Sequence, residues 1–513
     1  MFLVSRIGSR KLFYLLLCIL LLKALFAALI LLFSGMDLSP DEAQYWTWSQ
    51  SPAISYYSKP PLIAWQIFLT TKLFGNTLFG VRFGALFLNF LLSLTIWRLA
   101  RLALFSAEIA FWAALCFAFS PFGIFFAFPA TTDLGAILFF TLAIGEVSKG
   151  LQTEETQPNY LLPGLFIFFG ALYKWVVYAF WPFIFILAIF YKKMRQKTLI
   201  GGVLISLCGL LPSLIWNSSH DFATFKHVFY TFFKPAGHRS AKVGNFIDFF
   251  SAQMGLIFPI FFILMCIGVF LAYRSRKKLL ILLAIFPTGV LLYLLNSLFK
   301  KIQPNWALYL YPSGFVLAAW AANKKGRIWL PIGLFTSLAF CLFTLSIPFI
   351  QEHNIFPRWQ IPYKVNPFRQ TLGWRRLTQS LELSGYDPEK DFLFSDKYQI
   401  TSILSFYEAG QKRAYFLNLG SSRKNQFTYW PGMNPGEVGK TGYFVLAENS
   451  NNFEEALPWY ISHYAHRLQP YFESVEVAGI EPLFDSYGKT VKFAIIFRCT
   501  SYNGKEPPPS KKY

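Results

Sequence analysis

Apolar residues in this chain come in long blocks separated by short polar breaks. About 20 consecutive apolar residues cross the hydrocarbon layer of a bilayer. On that rule eleven blocks read as membrane spans. They lie near 12–33, 80–97, 105–123, 134–148, 160–173, 177–191, 198–216, 253–273, 279–298, 306–322 and 328–350, the fourth to sixth being short. From about residue 352 the pattern changes. FLF at 392–394, RAYFLN at 413–418, YFVLAEN at 443–449 and VKFAIIF at 491–497 read as strands, while 371–384, 398–409 and 453–467 have helical periodicity. Their alternation predicts a small α/β domain over 351–500. The final residues, 501–513, end in NGKEPPPSKKY and read as a disordered tail. The fold class expected is an all-α polytopic membrane protein, 1–350, with about eleven transmembrane helices and a small C-terminal extracytoplasmic α/β domain.

Composition excludes a soluble globule. Hydrophobic residues make up 55% of the 513, charged residues only 14%, and mean hydropathy is +0.41. A soluble domain carries about 25% charged residues. The net charge of +21 does not signal nucleic acid. Residues 1–350 hold 28 Lys and Arg against 10 Asp and Glu, and the basic residues are interleaved with spans. The N-terminal Arg6, Arg10 and Lys11, with Arg98, Arg101, Lys149, Lys192, Lys193, Arg195, Lys197, Arg274, Arg276, Lys277, Lys278, Lys324, Lys325 and Arg327, fall on one side. Basic loops stay in the cytoplasm. This predicts a cytoplasmic N-terminus and, with an odd span count, an extracytoplasmic C-terminal domain. Five of six cysteines lie in apolar runs and Cys499 stands alone, so no disulfide framework or zinc spacing exists.

Two outer segments, 34–79 and 217–252, are long and rich in aromatic residues, as suits helices lying in the membrane interface. They hold most of the unusual polar residues. Asp41 and Glu42 follow the first span. A carboxylate there is either a general base for an acceptor hydroxyl or a solvated helix start after Ser39. Asp133, at the outer end of the fourth span, reads in isolation as an N-cap acid. Lys174, between two short apolar runs, either snorkels or faces an anion in a cavity. Lys59 stands beside two stiffening prolines. Lys59, Lys174 and Arg239 together would suit a lipid phosphate; singly, each reads as an interface anchor. No Gly-rich phosphate loop, His-Glu-x-x-His, nucleophile elbow or Cys pair is present. That argues against an ATP-driven pump, a metalloprotease and a serine hydrolase.

Taken together, these motifs resemble the lipid-dependent C-type glycosyltransferases of the GT-C fold. The branch is that of bacterial aminoarabinose transferases and relatives of protein mannosyltransferases. The resemblance rests on Asp-Glu after the first span, Lys-Pro-Pro-Leu, Thr-Asp at a span start and a Lys between short spans. PSLIWNSSHDFATFKH, QPNWALYLYP, GWRRL, SDKYQITSILSFY and RKNQFTYWPG add to it. It implies a bundle of eleven to thirteen helices. It implies transfer of a sugar from a polyprenyl phosphate to an acceptor on the outer face. By motif, Asp41 matches the catalytic acid, Glu42 its neighbour and Asp133 the second outer acid. Lys59 and Lys174 match basic groups near the donor phosphate, and Arg239 matches by loop position. The partners implied are the polyprenyl-phosphate sugar, membrane lipids and a glycolipid acceptor such as lipid A, with protein as second choice. No cofactor is implied. Ser58 stands where aminoarabinose-type relatives carry Glu, so the carboxylate that would hold a metal or an amino sugar is missing.

Three rival readings remain at this level. A secondary transporter should show an internal repeat and broken mid-membrane helices, and the sequence shows no repeat. A lipid-linked sugar ligase would use outer Arg and His in place of the acids. A non-catalytic scaffold would need neither.

Overall fold

A computed structural model describes residues 8–33, 35–103, 105–233, 244–274, 279–420, 422–450 and 452–513. Each of the eleven apolar blocks is helical. Helix α1 (Ser9–Phe33) is followed by α2 (Pro40–Ser49) and α3 (Leu62–Phe74), then α4 (Leu78–Leu102), α5 (Ala107–Ala118), α6 (Pro121–Phe125) and α7 (Thr132–Gly150). Next come α8 (Leu161–Ala171), α9 (Phe180–Phe190), α10 (Thr198–Leu207), α11 (Leu211–Ser218), α12 (Ala223–Phe233), α13 (Phe246–Ile257) and α14 (Pro259–Arg274). The last three of the bundle are α15 (Leu280–Phe299), α16 (Tyr311–Lys325) and α17 (Trp329–Glu352).

Among the described residues, α1, α4, the α10–α11 stretch Thr198–Ser218, α15 and α17 are each long and apolar enough to cross a membrane alone. The bent pair α13–α14 makes a sixth. The other blocks are shorter or carry charge. Helix α7 contains Asp133, Glu146 and Lys149 and is buried along most of its length, as an internal helix of the bundle. Helix α1 exposes Leu22 and Phe33, so this face meets lipid. The 97° bend between α13 and α14 has a local cause. Phe258 sits at φ 76°, and Pro259, which lacks an N–H, restarts the helix. Helices α8 and α10 touch backbone to backbone. A Cβ on Gly164 would lie 2.3 Å from the Gly202 carbonyl oxygen, so only small residues permit this approach.

Beyond α17 lie α18 (Arg376–Leu383), β1 (Phe392–Ser395), α19 (Tyr398–Tyr407), β2 (Tyr415–Phe416), β3 (Gly442–Asn449), α20 (Phe453–Leu468), β4 (Phe472–Ser486) and β5 (Lys489–Tyr502). The sheet order is β2-β1-β3-β5-β4. Strand β1 runs parallel to both neighbours, and β5 runs antiparallel to both of its own. Strand β4 escapes the sequence pattern because Gly479 and Pro482 interrupt it. It is the edge strand, where register shifts at those places are tolerated. The end of the chain, expected to be disordered, meets the bundle. Tyr513 hydrogen-bonds Asp221, and its ring receives Lys226 and Lys424 at 5.0 and 4.3 Å.

Contacts between the C-terminal domain and the segment after α1 fix where the candidate site lies. Helix α19 packs on α2, with Trp46 edge-on to Phe406 at 5.0 Å and Leu38 N donating to the Tyr407 hydroxyl at 2.8 Å. Asp37 is buried; it accepts from Trp374 N at 2.6 Å and pairs with Arg375 at 2.8 Å. Lys492 Nζ lies 3.3 Å above the Trp374 ring and donates to the Leu372 carbonyl at 2.6 Å.

Candidate active site

Helix α2 starts where the sequence dictates. Ser39 caps it and Pro40 takes the first turn, where a missing N–H costs nothing. Glu42 closes the capping box: Ser39 N donates to Glu42 Oε2 at 2.9 Å, and Glu42 N donates to Ser39 Oγ at 3.3 Å. Every residue from Glu42 to Ser49 is buried. Asp41 alone stays open to solvent, and it accepts no hydrogen bond among the described residues. Protein nevertheless crowds round its carboxyl. Confinement pushes its pKa above the ordinary carboxylate range; Lys59 pulls it back, Glu42 pushes it further and Arg423 pulls it back.

Glu42, expected beside Asp41 as a catalytic acid, is sealed. Its carboxylate takes Arg82 Nε at 2.7 Å and Nη2 at 2.9 Å, and also Ala130 N at 3.1 Å. Burial works against the charge, but the Arg82 guanidinium and the Ser39 and Ala130 N–H groups hold the carboxyl below its usual range. No lone pair is left for a substrate.

The other expected residues converge on Asp41. Lys59 lies in a segment pinned by Tyr56 N to the Lys59 carbonyl and by Leu62 N to the Leu172 carbonyl. Burial, then the charge of Lys174, lowers the Lys59 ammonium pKa, while Asp133 and Asp41 raise it. Asp133 begins α7. Its cap residue Thr131 makes no side-chain cap bond, so the acid is not explained as a cap partner. It pairs instead with Lys174 at 2.7 Å and accepts from Asn305 Nδ2 at 3.2 Å. Lys174 sits at the extended break before a 3-10 turn at Trp175–Ala179, which frees its side chain to reach Asp133. Lys174, expected at a donor phosphate, thus already has a carboxylate partner. Arg239 lies outside the described residues.

Sequence reasoning missed Arg423 as a site residue, although RKNQFTYWPG carried it. The motif forms a built loop. Asn425 caps the turn Gln426–Tyr429, Gln426 Oε1 accepts from Tyr57 N at 2.7 Å, and Tyr429 stacks near Tyr57 with ring centroids 6.0 Å apart. Arg423 Nη1 lies 3.0 Å from His227 Nδ1, and its guanidinium is 5.8 Å from the Tyr398 ring. His227 is held neutral at about pKa 4 by burial, Arg423 and Lys59. The segment around 212–227 joins from the other side: Trp216 stacks on His220 at 3.9 Å, and Asn217 accepts from Thr224 N at 2.8 Å. Lys59 and Arg423 have no carboxylate within 4 Å among the described residues. They are two cations beside one open acid. Among those residues no group of three His, Cys, Asp or Glu could hold a metal ion.

The chain resembles known proteins. Residues 58–216 match the family model described as dolichyl-phosphate-mannose-protein mannosyltransferase. Over 336 residues the chain is 31% identical to lipid A galacturonosyltransferase RgtD of Rhizobium johnstonii, covering 63% of this chain and 69% of that one. Among solved structures it superposes on ArnT of Cupriavidus metallidurans in the apo state, with TM-score 0.59 and 13% identity over 93% of this chain and 97% of ArnT. The ArnT structure bound to undecaprenyl phosphate gives TM-score 0.62 and 12% identity over 95% and 98%. The two superpositions establish the fold; the curated relative establishes the kinship. The chain is an integral membrane glycosyltransferase of the C type, belonging to the family that contains lipid A galacturonosyltransferase RgtD.

Proposed function

We propose that this enzyme moves a hexuronic acid from a polyprenyl phosphate to a lipid A-like glycolipid at the outer face of a bacterial inner membrane. The observation that carries the reading is Asp41: an exposed acid with a raised pKa and no hydrogen-bond partner among the described residues, close enough to Lys59 for each charge to act on the other. The name of RgtD supports the sugar and the acceptor, and the undecaprenyl phosphate in the ArnT structure supports the donor.

The chemistry balances. The Asp41 carboxylate takes the proton of the acceptor hydroxyl as its oxygen bonds to the anomeric carbon. The bond from that carbon to the phosphate oxygen breaks, and the oxygen leaves with the electron pair as polyprenyl phosphate. Lys59 neutralises the charge that develops on the leaving phosphate, in a site where little water competes. Asp133, Lys174 and Asn305 form a hydrogen-bonded bridge whose charges act on Lys59 from near by. Glu42 and Arg82 hold the start of α2, so Asp41 is aimed by a helix that cannot shift. The lipid tail enters sideways between helices, which gives a sugar transferase its need for a membrane body.

The test is purified protein in detergent, given labelled polyprenyl-phosphate galacturonic acid or labelled uridine-diphosphate galacturonic acid, with a lipid A-like acceptor. Transfer from the lipid-linked donor is expected. Transfer from the nucleotide sugar alone would overturn the reading and the site with it.

A further inference from the structure

The donor phosphate needs a cation, and Lys59 supplies one. The second cation with no carboxylate within 4 Å among the described residues, Arg423, also acts on Asp41 but has different company. Lys59 stands in the segment before α3, which Leu62 N ties to the Leu172 carbonyl of the bundle. Arg423 comes from the outer domain and stands among rings. His227 takes its Nη1, the Tyr398 hydroxyl lies 3.5 Å from Nη2, and Tyr57 packs 5.3 Å from His227. The side chains of His227, Tyr398 and Tyr57 carry no carboxylate, and Asp41 is the acid whose charge reaches the guanidinium. Aromatic faces beside a planar, two-pronged donor suit a pyranose ring that carries a carboxylate.

We propose that Arg423 is the residue that reads the sugar: its guanidinium binds the C6 carboxylate of a uronosyl donor, in a subsite walled by Tyr57, His227 and Tyr398. This rests on the uronosyl reading above and adds to it the residue that imposes the choice. The outer domain, on this account, brings the specificity and the bundle brings the transfer chemistry. Two features make the placement firm. Gln426 ties the Arg423 loop to Tyr57 at 2.7 Å, so the subsite spans both parts of the chain. Ser58, beside Lys59, supplies no acid that would repel a carboxylate.

The experiment compares two donors that differ only at C6: polyprenyl-phosphate galacturonic acid and polyprenyl-phosphate galactose. Wild type should prefer the uronosyl donor. Arg423→Gln should reduce that preference at least about tenfold, since a hydrogen bond to a charged group is lost. The loss should fall on the uronosyl donor far more than on the galactosyl donor, and an unchanged melting temperature in detergent checks folding. Arg423→Lys should restore part of the preference by keeping the charge without the fork. Equal loss of both donors in Arg423→Gln, with an unchanged ratio, would overturn the assignment while leaving the uronosyl reading intact. A wild type that prefers galactose would overturn the uronosyl reading itself, and a wild type that uses neither lipid-linked sugar would remove the donor reading beneath both.

Discussion

Lys174 Nζ and Asp133 Oδ1 meet at 2.7 Å, although Asp133 opens α7 and Lys174 stands in the break between α8 and α9. Because the two charges share one contact, their effects on activity are coupled. Asp133→Asn and Lys174→Gln should each reduce turnover. The double variant should be no worse than the poorer single one, since the second change removes a partner already lost. A double variant whose losses simply add would show that the two residues act independently, and steady-state rates on the lipid-linked donor measure this.

Asp41 governs the acid side of the pH profile. Its pKa stands above the ordinary carboxylate value, so the base is lost to protonation at a higher pH than the usual figure of about 3.9. The kcat/KM profile should fall as pH drops, with a midpoint above that figure. Asp41→Asn should remove about 10²–10⁴-fold of the rate without changing the melting temperature. Lys59→Gln removes a charge that favours the carboxylate, so the midpoint should move further upward. A downward shift would mean that Lys59 does not act on Asp41.

Glu42 and Arg82 make a stability prediction of the opposite kind. Both are fully buried, and the carboxylate also binds two backbone N–H groups. Breaking such a pair leaves an uncompensated buried charge, at a cost of about 3–5 kcal/mol. Glu42→Ala should therefore lower the melting temperature in detergent markedly, where Asp41→Asn does not. Equal stability in the two variants would contradict the different posts assigned to these neighbours.

Lys492 offers a pH test of the seat of the C-terminal domain. Burial pushes its ammonium down to about 7, against a partial lift from Asp37. Between about pH 7 and the ordinary lysine value near 10.4, the unfolded chain holds this proton more tightly than the folded one. Stability contributed by this residue then rises with pH across that window. The melting temperature of Lys492→Met, relative to wild type, should accordingly be highest at pH 7 and decline toward pH 9. A difference that stays constant with pH would show that Lys492 titrates normally.

Much of this was readable in the sequence, for a definable reason. Asp41, Lys59, Asp133 and Lys174 are charges where a membrane chain avoids charge, so each draws notice at its own position. Partnership is a different matter. Nothing in the spacing of Asp133 and Lys174 reveals that they neutralise one another, or that Glu42 turns to Arg82 while its neighbour stays open. Arg423 was hidden by its surroundings: in a soluble domain with ordinary charge, one arginine in RKNQFTYWPG carries no cost and so no signal. The strands β1, β3 and β5 are continuous apolar runs and read plainly. Strand β4 pairs along its length with β5, a tertiary gain that overrides its Gly479 and Pro482.

The seat of α19 on α2, fixed by Asp37, Trp374 and Arg375, has a consequence for recombination. A crossover near residue 352 looks harmless, since it falls after the last helix of the bundle. It would nonetheless graft a foreign loop onto Tyr57 and a foreign partner onto Asp37. Segments 37–59 and 373–426 must therefore be inherited together. A chimera that exchanges donor preference between relatives has to carry both segments from one parent, even though the chain keeps them hundreds of residues apart.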